Sequence, residues 1–107
     1  MPPIITLTTD FGLADGFVGT MHGVILGICP AARIVDLSHG IAPQGIQEAA
    51  FILAAATPFF PAGTVHVVVV DPGVGSERRA IAVQTDRAFY VAPDNGVLSE
   101  ALAQEQV

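Results

Sequence analysis

Three polar segments, each directly after an apolar run, hold the residues that could do chemistry. "TLTTDFGLADG" contains Asp10 and Asp15, "IVDLSHGI" contains His39, and "VVVVDPGVGSERR" contains Asp71 and Arg78. A carboxylate at the end of a strand can accept hydrogen bonds from a ribose diol, and a carboxylate beside a guanidinium can line a small polar cavity. Purely structural roles stay open. Asp10 could hold its loop together by hydrogen bonds, Asp15 could cap a helix, and Asp71 and Arg78 could form a salt bridge across a turn.

Familiar phosphate and metal sites do not fit this sequence. Asp10-Phe11-Gly12 spells the magnesium-binding tripeptide of protein kinases, but the chain has no lysine and Asp10 lies too early to follow the other kinase motifs. "DPGVGSER" lacks the lysine and the spacing of a Walker loop. No pair of histidines has the spacing of metal ligands, so no metal site is expected. Structural roles are favoured for His22, Asp36, His39 and His66.

Composition limits the class of protein. A chain of 107 residues, 51% hydrophobic and 13% charged, suits one folded domain. Its net charge of −6 argues against nucleic acid, because phosphate binding needs a basic face. No apolar run approaches the roughly 18 residues that span a bilayer, and the start lacks the basic residues of a signal peptide. A soluble cytoplasmic protein without a membrane or nucleic-acid partner is expected, with Cys29 as a buried structural thiol.

The order of apolar patterns predicts an α/β fold with a mainly parallel central sheet flanked by helices. Strands are predicted over 4–8, 33–37, 65–70, 80–85 and 88–92, and helices over 17–29, from 46 onward and from about 97. The run Val65–Val70 is typical of a central strand buried on both faces. Right-handed crossovers bring the carboxyl ends of the parallel strands to one rim, where the three polar segments should gather.

Four blocks of sequence in order resemble a known family. They are "TLTTDFGLADGFVGTMHGVI", "IVDLSHGI", "FPAGTVHVVVVDPGVGSERR" and "VAPDNGVL". Together they resemble the S-adenosylmethionine (SAM) hydroxide adenosyltransferases, or SAM hydrolases, which are related to SAM-dependent fluorinases and chlorinases. The resemblance implies that residues 1–107 form part of an N-terminal α/β SAM-binding domain, without the β-barrel domain that follows in the family. It further implies a homotrimer of the full-length protein, with sites shared between subunits, so this piece alone should be inactive.

The activity that the resemblance implies is hydrolysis of SAM to adenosine and L-methionine. Water or hydroxide attacks the ribose 5′ carbon, and methionine leaves as a neutral thioether. SAM is the substrate in this reaction, and no cofactor is implied. By the same resemblance, Asp10 holds the ribose hydroxyls, while Asp15, Gly16 and Phe17 contact the methionine end.

The catalytic pair that the resemblance implies is Asp71 and Arg78, two members of the family's Asp-Arg-His set. The histidine would lie beyond Val107. Because arginine cannot deprotonate water, Arg78 is assigned to orienting the nucleophile and Asp71 to polarising it or fixing Arg78. Halogenating relatives have tyrosine at the position of Asp71 and a small hydroxyl residue near Val74, so this chain favours water over halide. The alternatives are halogenase-like adenosyl transfer and a non-catalytic SAM- or adenosine-binding module.

Overall fold

Strands and helices alternate along the chain as the sequence predicts. The computed structural model describes residues 2–43, 45–70 and 80–105. The elements are β1 (Ile4–Thr9), α1 (Phe17–Ile28), β2 (Arg33–Ser38), α2 (Ile46–Ala56), a 3-10 turn (Thr57–Phe59), β3 (Thr64–Val69), β4 (Ala80–Gln84), β5 (Ala88–Pro93) and α3 (Ser99–Leu102). The elements follow one another as predicted, which confirms their order. Their bounds differ from the predicted ones by one or two residues.

The end of α1 follows from its sequence. The helix stops at Ile28, and the Cys29 amide still donates to the Ile25 carbonyl oxygen at 2.8 Å. Pro30 cannot continue the ladder because it has no amide hydrogen. Cys29 is half-buried rather than fully buried, and its thiol is free. Among the described helices, including the 12 residues of α1, none is long and apolar enough to cross a membrane.

The five described strands form one sheet in the order β2-β1-β3-β5-β4. The pairs β1–β2, β1–β3 and β3–β5 are parallel, and β4–β5 is antiparallel, so the prediction of a mainly parallel sheet is confirmed. A tight turn reverses the chain between the last two strands. There the Thr85 hydroxyl oxygen accepts the amides of Arg87 at 3.1 Å and Ala88 at 2.9 Å.

The sheet order creates a switch point beside β1. The α1 crossover leads from β1 to β2 on one side, and the α2 crossover leads back across β1 to β3 on the other. Neighbouring strands β1 and β3 therefore have connections that run in opposite directions. In open α/β sheets this reversal opens a crevice at the carboxyl ends of the two strands.

The two faces of the sheet are covered unequally. On one face, α2 and α3 pack over a buried cluster whose largest members are Leu53, Val68, Val70, Tyr90 and Val97. On the α1 face, the side chains of Val65, Val67 and Val69 are only half-buried, and Phe89 and Val91 are 42% and 40% exposed. The prediction that β3 is buried on both faces is therefore wrong for the described structure: β3 is central in order, but its burial alternates along the strand.

Candidate functional site

The carboxyl ends of the parallel strands meet at one edge of the sheet, which we call the carboxyl edge. β1, β2, β3 and β5 end there at Thr9, Ser38, Val69 and Pro93. Asp10 directly follows β1 and so lies beside the switch point between β1 and β3. This is where ligands bind in open α/β sheets, because the diverging connections leave room above the strand ends.

The predicted catalytic pair lies outside the described residues. Asp71 and Arg78 belong to residues 71–79, which the structure does not describe. Val70, which precedes this segment, follows the end of β3 and is fully buried. Ala80, which follows this segment, pairs with Pro93 at the carboxyl end of β5. Val70 and Ala80, the described residues on either side of 71–79, therefore both lie at the carboxyl edge.

The loop that carries Asp10 is held by its backbone. The Phe11 amide donates to the Thr9 hydroxyl oxygen at 3.2 Å, and the Gly12 amide donates to the His39 carbonyl oxygen at 2.8 Å. Gly12 has φ of 70°, a left-handed conformation that favours glycine. Within residues 2–43, 45–70 and 80–105, nothing bonds to the half-buried Asp10 carboxylate. In the described structure, neighbouring groups tie the loop, and the Asp10 carboxylate can accept from a ligand.

The start of α1 packs against the same loop. The rings of Phe11 and Phe17 lie 5.9 Å apart between centroids, and Phe17 is still 60% exposed. Gly16, not Asp15, is the N-cap residue of α1. Asp15 Oδ1 accepts from the Phe17 amide at a long 3.4 Å, so its capping is weak and the exposed carboxylate remains available to solvent. Asp15, Gly16 and Phe17 thus form an accessible rim next to Asp10.

The His39 side chain contacts Thr9, which lies 30 residues away in sequence, and Asp36, which lies three residues before it. This side chain is buried, and its Nδ1 lies 2.6 Å from Thr9 Oγ1. Its Nε2 lies 2.8 Å from Asp36 Oδ1, but off the hydrogen-bond axis, so this contact is mainly electrostatic. His22 of α1 reaches the same carboxylate oxygen at 3.0 Å. In the sequence these histidines are isolated, because nothing local indicates that β2 lies beside β1.

The charge of the Asp36 carboxylate determines which ring nitrogen of His39 carries the proton. Burial, the largest single effect, raises the pKa of Asp36, but the neighbouring imidazoles of His39 and His22 together lower it below its usual 3.8. The ionised carboxylate favours the His39 tautomer with the proton on Nε2. Nδ1 then accepts the Thr9 hydroxyl proton, and the Thr9 oxygen accepts the Phe11 amide. We assign this tautomer from the network of contacts.

Asn95 supports the end of β3, a role that its sequence did not reveal. Its Nδ2 donates to the Val70 carbonyl oxygen at 3.0 Å, and its Oδ1 accepts from the Val97 amide at 3.1 Å. Gly96 follows with φ of 86°, as a tight "PDNG" turn requires. The turn therefore fixes the carbonyl immediately before Asp71.

A second polar cluster lies away from the carboxyl edge, among buried side chains on the α2 face. His66 Nδ1 lies 2.7 Å from Thr6 Oγ1, and its ring packs on Tyr90 with centroids 5.1 Å apart. The Tyr90 hydroxyl donates to Glu105, whose other carboxylate oxygen accepts from Thr85 at 2.6 Å. These contacts satisfy buried polar groups, which supports the structural role predicted for His66. Among the described residues, no group of three or more acidic, histidine or cysteine side chains could hold a metal ion.

Sequence comparisons identify relatives of the whole chain. The family model described as the SAM hydroxide adenosyltransferase N-terminal domain matches residues 5–107. An (R)-S-adenosyl-L-methionine hydrolase of Salinispora arenicola is 50% identical over 99 residues, which cover 92% of this chain and 38% of that protein. The enzyme of the same name from Methanocaldococcus jannaschii is 50% identical over 101 residues, covering 90% and 38%. A fluorinase of Actinoplanes is 29% identical over 125 residues, covering 95% and 42%.

Structural comparison agrees with the sequence. A conserved hypothetical protein from Thermus thermophilus superposes with a TM-score of 0.89 at 42% identity, over 98% of this chain and 43% of that one. An uncharacterised conserved protein from Thermotoga maritima gives 0.90 at 42%, over 94% and 39%. The chain spans about 38% of the length of the first curated relatives. The resemblance seen in the four sequence blocks is confirmed, and the chain belongs to the SAM hydroxide adenosyltransferase N-terminal domain family.

Proposed function

We propose that the protein containing this chain hydrolyses SAM to adenosine and L-methionine. The observation that carries the proposal is the position of Asp10, whose carboxylate stands at the β1–β3 switch point with no partner among the described side chains. A carboxylate there can accept both hydroxyl protons of a ribose. The names of relatives at 50% identity support SAM as the ribose-containing substrate.

The methionine end of SAM suits the rim beside Asp10. The exposed Asp15 carboxylate can attract the amino group of the substrate, and the exposed Phe17 ring can cover its aliphatic chain. Gly16 keeps the backbone between them open, since nothing lies within 4 Å of the Cβ that another residue would add. We infer that Asp10 binds the ribose while Asp15, Gly16 and Phe17 bind the amino-acid end.

The chemical step needs little help with the leaving group. The sulfonium departs as a neutral thioether, so the protein must chiefly align water behind the 5′ carbon and exclude other water. We propose that Asp71 polarises this water or holds Arg78, and that Arg78 orients it. The described residues on either side of them, Val70 and Ala80, lie at the carboxyl edge that carries Asp10, which supports this assignment. The mechanism requires no cofactor.

The assembly proposed for the native protein follows the family. Residues 1–107 would form the front of the SAM-binding α/β domain, and the native protein would be a cytoplasmic homotrimer with shared sites. The chain alone would then be inactive. The half-covered α1 face of the sheet, with Phe89 and Val91 exposed, is consistent with a domain that continues in further chain.

Halogenation is the second candidate, because fluorinases also match this chain. Hydrolysis is favoured by the higher identity to hydrolases, 50% against 29%. It is also favoured by chemistry, because the negative charge of Asp71 would repel a halide ion from the place where water must stand.

The test uses the native protein with SAM in ¹⁸O-labelled water and excess chloride, with products identified by mass spectrometry. Adenosine labelled at the 5′ oxygen, and lost in Asp71→Ala, is the expected result. Chlorinated adenosine would move the protein to the halogenases, and unchanged SAM would leave a binding module.

The ribose contact is tested separately by Asp10→Asn. Since hydrogen bonds to a charged group contribute about 1.5–3 kcal/mol, KM for SAM should rise about 10- to 100-fold. Glu100→Gln is the matched control, because it also removes one negative charge, and Glu100 lies exposed in α3 without a hydrogen bond or ion pair among the described residues. An unchanged KM in Asp10→Asn would contradict the assignment of Asp10.

A further inference from the structure

We propose that Thr9, His39 and Asp36 act as positioning residues that hold the backbone on both sides of Asp10, and so aim its carboxylate at the ribose. The proposal rests on the proposed function for the role of Asp10. It adds residues whose side chains are not expected to touch the substrate.

A series of contacts leads from Asp36 on β2 to the loop that carries Asp10. The Asp36 carboxylate faces Nε2 of His39 at 2.8 Å, and Nδ1 of His39 faces the Thr9 hydroxyl at 2.6 Å. The Thr9 oxygen then accepts the Phe11 amide at 3.2 Å. The Asp36 carboxylate therefore acts on His39 by its charge, and hydrogen bonds link His39 through Thr9 to the amide that follows Asp10.

A second contact fixes the loop one residue further on. The same His39 that holds Thr9 through its ring also accepts the Gly12 amide through its carbonyl oxygen at 2.8 Å. Asp10 thus lies between Thr9, which is fully buried, and two anchored amides. Because Thr9 and His39 are shielded from water, solvent competes poorly for their hydrogen bond. The backbone of Asp10 is consequently held before the substrate arrives.

The neighbouring Thr8 shows that burial alone does not explain the Thr9 contact. Both threonines are in β1 and both are fully buried. The Thr8 hydroxyl has no hydrogen-bond partner among the described residues, whereas the Thr9 hydroxyl contacts both His39 and the Phe11 amide. Replacement of each by the isosteric valine removes the same atoms from adjacent positions, which provides a matched pair of variants.

The kinetic test compares Thr9→Val, Thr8→Val and Thr9→Ser in the native protein. Loss of positioning should raise KM for SAM about 10-fold in Thr9→Val with kcat changed less than about twofold, since ribose binding is used equally in the ground and transition states. Thr8→Val should match the wild type, and Thr9→Ser, which keeps the hydroxyl, should restore KM. A merely structural role would instead lower kcat through loss of folded protein at an unchanged KM.

Amide hydrogen exchange gives a readout that does not need SAM. The Phe11 and Gly12 amides should exchange about 10-fold faster in Thr9→Val than in Thr8→Val, because the hydroxyl that holds the loop is gone. Equal exchange rates, or an unchanged KM in a folded Thr9→Val protein, would overturn the proposal. If wild-type protein neither binds nor cleaves SAM, the proposed function fails, while the exchange comparison still shows whether the loop is held as described.

Discussion

Acidification should weaken the fold through His66, whose side chain is 1% exposed between β1 and β5. Burial lowers the pKa of His66 from 6.5 to about 4; the negative charge of Glu105 raises it and the positive charge of Arg87 lowers it slightly. The neutral ring accepts the Thr6 hydroxyl proton or donates to its oxygen, and a proton added to the ring would be shielded from water.

The sign of the effect follows from which state binds more protons. In the unfolded chain the imidazole titrates near its ordinary pKa of 6.5. Between pH 6.5 and about 4 the unfolded state therefore carries more protons than the folded state, and the free energy of unfolding falls as the pH drops. The contribution is complete above the unfolded pKa and is lost near pH 4. The difference from 6.5 to about 4 corresponds to about 3 kcal/mol.

The assay is urea unfolding of the native protein at several pH values between 7 and 4, with the pKa of each histidine read by NMR. His66→Leu alone would leave the Thr6 hydroxyl unpaired and would lower stability at every pH. The double variant Thr6→Val with His66→Leu removes both polar partners and should show a flatter dependence of stability on pH. Asp36, with its pKa below 3.8, titrates in a lower range and does not confuse the comparison.

Two results would refute this reasoning. One is a measured His66 pKa near 6.5, which would mean that burial does not disfavour the charged ring. The other is an unchanged slope of stability against pH in the double variant, which would assign the acid sensitivity to other groups.

The remaining predictions concern backbone and turn positions, measured by thermal and urea unfolding. Gly12→Ala should lower the free energy of unfolding by about 1–2 kcal/mol, because Gly12 has φ of 70°. Gly19→Ala in α1, where a Cβ meets open space, should instead raise the free energy of unfolding by about 1 kcal/mol. Equal effects of the two substitutions would count against the left-handed conformation of Gly12. Asn95→Ala should cost about 1–3 kcal/mol, because it leaves the Val70 carbonyl without its side-chain donor. An unchanged free energy of unfolding in Asn95→Ala would show that water replaces the side-chain amide.

Local patterns in the sequence were sufficient to predict the strands and helices and the residues at which they end. The run of residues with high strand propensity and the helical spacing place β1 and α1 within a residue of their observed bounds. Pro30 and Gly96 mark a helix end and a turn by backbone chemistry alone. The position of Asp10 directly after a strand also followed from local order. These features depend on neighbouring residues, so a single sequence reveals them.

Tertiary structure alone decided which strand ends are neighbours. The order β2-β1-β3 places the switch point beside Asp10 and brings His39 to Thr9 across 30 residues. The pairing of β3 with β5 sets Asn95 against Val70. One face of β3 is left half-covered. Strand order is selected by non-local backbone pairing and by helix packing over both faces, which a periodic pattern within one segment cannot encode.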